Sequence, residues 1–341
     1  MDLPHHSAAS SRGRPTTKAL PSVDQTRRVV TSSDADDHAR NLSSWNQRYD
    51  QFSPGTFVGQ IAELWLPDTQ LYLETTSQVL HQSCSSWVNS LWFGIPVLKG
   101  ENAYIGNQQI PDAALAMKRG GADFKLVTPA NFQILGISID EHIFTRYLQE
   151  IEHIDRFNVL DKSEVLQVDM ERKREVVSEL NRILFENNVL PTEDALHLSA
   201  SLQDQILMAI VPLLVSATVP EDRSSCKQLN RMRIVEKMRE YYLQHIDEEI
   251  SIPDFCRYLK VSRRTLQYCT EDVVGMSPAA FIRCLRLNSV RRELFFGDRD
   301  THITDVAMSW GFWHLSQFAA HYRKLFDMLP SETLNHAKKC Y

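Results

Sequence analysis

The run SRRTLQY, Ser262 to Tyr268, carries the residue types best suited to contacting an outside partner. If it is helical, Ser262 caps it, Leu266 points inward, and Arg263, Arg264, Gln267 and Tyr268 share the outward face with Thr265 beside them. Arg and Gln donate in pairs to the base edges of a major groove. A lone surface helix with solvated arginines would carry the same letters. A second run, WGFWHLSQFAAHYRKLF, presents His314, Leu315 and Ser316 near its start and ends in Arg323 and Lys324, placed for phosphate. Its Phe312, Phe318, Tyr322 and Phe326 fall at core spacing.

Catalytic chemistry has less to stand on. Glu74, His81 and Cys84 combine an acid, a base and a nucleophile, but HQSCSSW supplies no motif that aims a base at the thiol. No catalytic residue is expected, and the protein is read as a non-enzyme without a catalytic cofactor. The 6 cysteines form no C-x-x-C pair and read as reduced thiols. His5, His6 and His38 do not cluster with cysteines at ligand spacing, so no metal is expected.

Whether the two runs belong together depends on what precedes them. IPDFCRYLKV and ITDVAMSWGF align with a constant offset, Ile252 on Ile303, Asp254 on Asp305, Cys256 on Ala307 and Lys260 on Gly311. Each is a short amphipathic helix with a small residue four positions before a tight turn, which is the pattern of a helix-turn-helix. The turn favours Gly for its positive φ, and Lys260 there costs about 1 kcal/mol. Between the copies, SPAAFIRCLRLNSVRRELFFG reads as one helix capped by Ser277, with Pro278 in its first turn. Phe281, Leu285, Val290 and Leu294 give it an apolar stripe. Such a helix spans roughly 28 Å, suited to holding two reading helices in successive major grooves. The repeat favours DNA over the solvated-helix reading.

A chain of 341 residues, 43% hydrophobic and 23% charged, has room for two domains and holds no apolar run long enough to span a membrane. Residues 1–40 read as a flexible polar tail without a secretory signal, which implies a cytoplasmic protein. Residues 41–218 divide into short alternating runs up to Asp140, expected to form a β-barrel or sandwich, and three helical segments after it. The last of these, LSASLQDQILMAIVPLLVSAT, is apolar enough to need a partner surface, which a homodimer would provide. Residues 219–230 read as the linker and 231–341 as the DNA-binding domain. The first 230 residues are acidic on balance, whereas the rest carry more Lys and Arg than Asp and Glu.

The elements VSRRTLQ, GMSPAAFIRCLRLNSVRREL, ITDVAMSWGF and LPSETL resemble the AraC/XylS family of bacterial transcription regulators. That resemblance implies an α+β chain: a cupin-like β-barrel or sandwich with helices, then an all-α domain with two helix-turn-helix motifs joined by a long helix. It also implies promoter DNA and RNA polymerase as partners. YDQFSPGTFVGQ, SLWFGIPVLKGENAYIGNQQI and TPANFQILGISI look like the regulators of ethanolamine-utilisation operons within that family. This second resemblance implies an activator responding to ethanolamine and adenosylcobalamin. Lys260, Thr270, Trp313 and Asp327 depart from the family pattern, Trp313 standing where a small polar cap is usual. No D-x-H-x-x-G cobalamin motif occurs.

Residues 51–110 contain Lys99 as their one Lys or Arg, beside Glu63, Asp68, Glu74 and Glu101. Glu63, Glu74, Trp65, Trp87 and Trp92 are therefore the candidates for holding a small cation, through carboxylate acceptors and aromatic faces. The same tryptophans at these spacings also suit a plain core. A regulator sensing another metabolite, and an architectural DNA binder without a ligand, are the alternatives.

Overall fold

The computed structural model describes residues 27–97, 103–154, 163–186, 195–220, 226–245, 248, 250–298 and 300–339. The chain opens with β1 (Arg27–Ser32), α1 (Ala35–His38), β2 (Asn46–Gln51), β3 (Gly59–Trp65), β4 (Thr69–Thr76), β5 (Leu80–Ser85) and β6 (Ser90–Pro96). It continues through β7 (Ala103–Ile105), β8 (Gln108–Ile110), β9 (Ala114–Arg119), β10 (Phe124–Thr128), β11 (Phe132–Asp140), α2 (Glu141–Glu150) and β12 (Val165–Gln167). The helices α3 (Met170–Glu186) and α4 (Ala195–Val215) complete this half.

The strands form two separate antiparallel sheets, ordered β1-β3-β4-β11-β6-β9-β12 and β2-β5-β10-β7-β8. The arrangement is a sandwich, not a closed barrel. Alternation along the larger sheet fills two cores. Ile61, Tyr72, Trp92 and Ile134 point between the sheets, whereas Leu64, Leu71, Phe93 and Leu135 point outward under Leu180, Ile206 and Ile210 of α3 and α4. Both faces of that sheet are therefore buried, which explains why SLWFGIP reads as a continuous apolar run. Gly94 and Gly136 leave room for two rings on the inner face. A Cβ on Gly94 would stand 2.4 Å from the Trp92 ring and one on Gly136 2.0 Å from the Tyr72 ring, whose hydroxyl accepts from Trp92 Nε1 at 2.9 Å.

Residues 27–40 are not a tail. β1 pairs with β3 from Arg27 opposite Leu64 to Ser32 opposite Gly59, and Asp34 caps α1 by accepting from the Asp36 and Asp37 amides. Its sequence is polar because β1 is an edge strand and because the acidic side chains that follow meet arginines far along the chain. Residues 1–26 lie outside the described residues.

The C-terminal half holds α5 (Cys226–Gln244), α6 (Ile252–Leu259), α7 (Arg263–Val274), α8 (Pro278–Phe295), α9 (Ile303–Ser309), α10 (Leu315–Phe326) and α11 (Pro330–Lys339). Helix α5 starts inside the segment read as linker. Its core gathers Met238, Phe255, Leu266, Phe281, Val290, Ala307, Phe318 and Tyr322, and also Phe52 from the loop after β2. The outer face of the smaller sheet thus packs on the helical half.

Candidate nucleic-acid interface

Two helix-turn-helix units form where the sequence repeats. Helix α6 ends on Lys260 in the left-handed region at φ 54°, and Gly311 takes the matching place after α9 at φ 77°. Val261 N donates to Cys256 O at 3.1 Å and Phe312 N to Ala307 O at 2.9 Å, so both turns close in the same way. Gly311 has a second reason to lack a side chain: a Cβ would stand 3.3 Å from the Arg286 guanidinium of α8. Helix α10 then begins one residue later in its copy than α7 does. The second turn is longer, and the position before α10 is His314, which makes no side-chain capping bond. Trp313 therefore lies within the turn and not at the cap; it is 63% exposed.

On α7, the Ser262 side chain accepts from the Thr265 amide at 3.0 Å, and Arg263 and Arg264 are exposed. Leu266, Cys269 and Thr270 face the core. Two of the outward candidates already have partners. Gln267 donates to Glu271, and the Tyr268 ring lies 4.5 Å beneath Arg231, which also pairs with Asp272 at 2.9 Å. On α10, His314, Ser316, Arg323 and Lys324 are exposed, whereas Leu315 is half-buried against the core. Gln317 is exposed on the same helix and did not figure among the sequence candidates, although its spacing of three from His314 puts it on that face.

Helix α8 carries both units, and nearly its whole circumference is covered. Phe281, Leu285, Val290 and Leu294 form the expected stripe, but Cys284, Asn288 and Arg291 are buried too. Their partners come from the N-terminal half. Asn288 Oδ1 accepts from Gln51 N at 2.7 Å, and its Nδ2 donates to Gln51 O at 2.9 Å, as a neighbouring strand would. Arg291 meets Asp34 at 2.6 Å and Arg292 meets Asp36 at 2.6 Å. Asp50 joins Arg239 of α5 at 2.8 Å and Arg292 at 3.0 Å. Burial alone would raise the Asp50 carboxyl, but Arg48, Arg292 and Arg239 around it hold it well below the carboxylate range. Asp36 goes the other way, raised to about 6 because burial, with Asp34 and Asp50 nearby, outweighs Arg292.

The effector candidates occupy another place. Glu63, Trp65, Trp87, Trp92 and Glu74 are all buried. Glu63 accepts from Arg28, from Ser43 N at 3.1 Å and from Trp65 Nε1 at 3.0 Å, and Glu74 accepts from Tyr49 at 2.7 Å and meets His38 at 3.1 Å. The carboxylates are thus held by the protein's own donors, and Trp65 and Trp87 pack on each other at 5.1 Å. The residues weighed for catalysis separate as well. Three positions apart on β5, His81 and Cys84 face opposite sides of the sheet, His81 against Phe52 at 4.2 Å and Cys84 in the core between the sheets. Among the described residues no cluster of His, Cys, Asp and Glu suits a metal ion, and no helix is long and apolar enough to cross a membrane.

Fold and site together define a double helix-turn-helix protein with a β-sandwich docked behind its connecting helix. A helix-turn-helix domain family matches residues 255–336. The XylDLEGF operon transcriptional activator 2 of Pseudomonas putida is 34% identical over 31% of this chain and 68% of its own length. The probable thc operon regulatory protein of Rhodococcus erythropolis is 29% identical over 30% of this chain and 31% of its own. A crystal structure of a probable AraC family transcriptional regulator from Rhodopseudomonas palustris is 32% identical over 31% of this chain and 98% of that one, with a TM-score of 0.30. The chain belongs to the AraC/XylS family of transcriptional regulators. It spans 31% of the Rhodococcus relative's length.

Proposed function

We propose that the protein is a sequence-specific DNA-binding regulator, most simply an activator, of a catabolic operon, and that it acts with RNA polymerase at a promoter. The observation that carries this reading is the pair of helix-turn-helix units on one buried helix, with Arg263 and Arg264 exposed on the first and Arg323 and Lys324 on the second. Selection of binding sites from randomised duplexes by the full chain, followed by affinity measurements across salt, tests it. A two-part site about one helical turn apart and a steep loss of affinity with salt are expected. Equal affinity for all sequences would overturn it.

The N-terminal sandwich is the sensing half in this reading. A ligand there acts only by binding two states differently, and the Asp34, Asp36, Asp50 and Gln51 contacts to α8 are the surface through which such states would differ. Ethanolamine, with adenosylcobalamin as a second effector, is supported by the sequence resemblance. Calorimetry with ethanolamine, alone and with adenosylcobalamin, tests that assignment; absence of binding in both leaves a regulator of another signal. Met208 and Val215, 64% and 44% exposed on α4, are the apolar residues that a homodimer would cover.

A further inference from the structure

A cleft of about 340 Å³ opens between the start of α3 and the sheet edge beneath it, lined by the apolar Val97, Met170 and Val177, by Lys173 and Arg174, and by one acidic residue, Asp112. Lys173 is 5% exposed. Its Nζ donates to Asp112 O at 2.6 Å and to Ala114 O at 2.9 Å, and among the described residues no carboxylate lies within ion-pair distance. An ammonium group has three donors, so one is left over. Buried charges in proteins are ordinarily paired, because an isolated one is costly to desolvate. Here two carbonyl dipoles take the place of a direct ion pair, with the Asp112 carboxylate acting on the ammonium from beyond ion-pair distance. Arg174, the next residue, is exposed and has no hydrogen-bond or ion-pair partner among the described residues.

We propose that this cleft binds a small organic carboxylate, its anionic head held by Lys173 and Arg174 and its apolar body lying against Val97, Met170 and Val177. The volume falls in the range of about 300–1,000 Å³ usual for small-molecule sites. The apolar wall argues for an organic acid over inorganic phosphate, which would leave that wall unused. Burial lowers the Lys173 amine to about 8, with the Asp112 carboxylate acting weakly against it. A bound carboxylate raises it again, so binding near pH 8 takes up a proton. The site is separate from the buried Glu63 and Glu74, and its occupancy can be measured without DNA.

The test uses the full chain with four probes: pentanoate, pentylamine, pentan-1-ol and inorganic phosphate. Calorimetry near pH 8 should show saturable pentanoate binding at least about tenfold tighter than the other three, with an apparent enthalpy that changes with the buffer's own ionisation enthalpy. Arg174→Gln, at an exposed position, should weaken pentanoate about tenfold. Lys173→Met should abolish binding. Pentanoate should also protect Lys173 from a small acetylating reagent, read by peptide mass spectrometry, which holds even if the Lys173 variant fails to fold. Equal affinity for pentylamine or pentan-1-ol, tighter binding of phosphate, an unchanged Arg174→Gln, unprotected Lys173, or no pentanoate binding up to tens of millimolar, on the order of the weakest useful ligand, each overturns the proposal.

Discussion

His81 shows how one side chain ties the two halves together. It sits on β5 opposite Asp50, with its ring 4.2 Å from Phe52 and 6.3 Å from Phe281 of α8. Burial and the nearby Arg239 depress it to about 3. The unfolded histidine takes a proton near pH 6.5 while the folded one does not, so stability is full above that value and is lost as pH falls towards 3. The loss from this group amounts to about 5 kcal/mol. His81→Phe, which keeps the stacked ring, should therefore unfold at markedly lower pH than the parent in a circular-dichroism titration; identical acid midpoints would contradict the assignment. The reading residues make a different prediction. Arg264 is exposed without a described partner, so Arg264→Ala should relax one base position at a cost of about 1–3 kcal/mol. Arg323→Ala should weaken all sequences alike. Binding profiles on randomised sites distinguish the two, and the same sequence-independent loss in both would refute the division of roles.

At the scale of elements, Lys260 occupies a left-handed turn that the second unit gives to Gly311. Lys260→Gly should stabilise the chain against urea by about 1 kcal/mol, provided the turn sets its cost in the folded state; a destabilised variant would show that the lysine contributes contacts outweighing the strain. The turns were legible in the sequence because local spacing dictates them: a small residue, a turn and an apolar stripe recur with one offset. The extra residue of the second turn was not, since Trp313 and His314 compete for the cap and neither is a residue type that local spacing would single out. The sandwich was legible as alternating strands, but not as two open sheets, because strand order depends on pairings far apart in the chain, such as β4 with β11, where Thr69 meets Ile139 and Thr76 meets Phe132. Nor was the second covered face of α8. Asn288, Arg291 and Arg292 look like a solvated helix surface until Asp34, Asp36 and Gln51 are brought to them from the other end of the chain. The candidate effector residues were correctly seen as acidic and aromatic, but their donors, Arg28, Ser43, Tyr49 and His38, lie in or next to a segment that reads as tail.

At the scale of the whole molecule the layers run from α3 and α4 through two sheets to α8, and the last junction is the polar one. Arg48, Arg239, Arg291 and Arg292 meet Asp34, Asp36 and Asp50 there, and the three aspartates are buried. Charges so placed are weakly screened by salt, and the pair as a whole adds little net stability, yet removing one member leaves the others buried without compensation, at about 3–5 kcal/mol. Asp50 is the member to remove, because it is fully buried and serves both Arg239 and Arg292. Asp50→Asn keeps the shape and abolishes the charge. It should loosen the docking of the sandwich on α8 while leaving the helix-turn-helix units folded, since their own core of Phe255, Leu266, Val290 and Phe318 does not pass through Asp50. Hydrogen exchange reads this directly. The amides of Gln51 and Phe52, which bond to Asn288 Oδ1 at 2.7 Å and Val79 O at 2.8 Å, should lose protection in the variant, whereas those within α9 and α10 should keep theirs. Protection lost uniformly through both halves would mean that the chain unfolds as one cooperative unit, and that the junction holds the fold together without acting as a separable contact between sensor and reader.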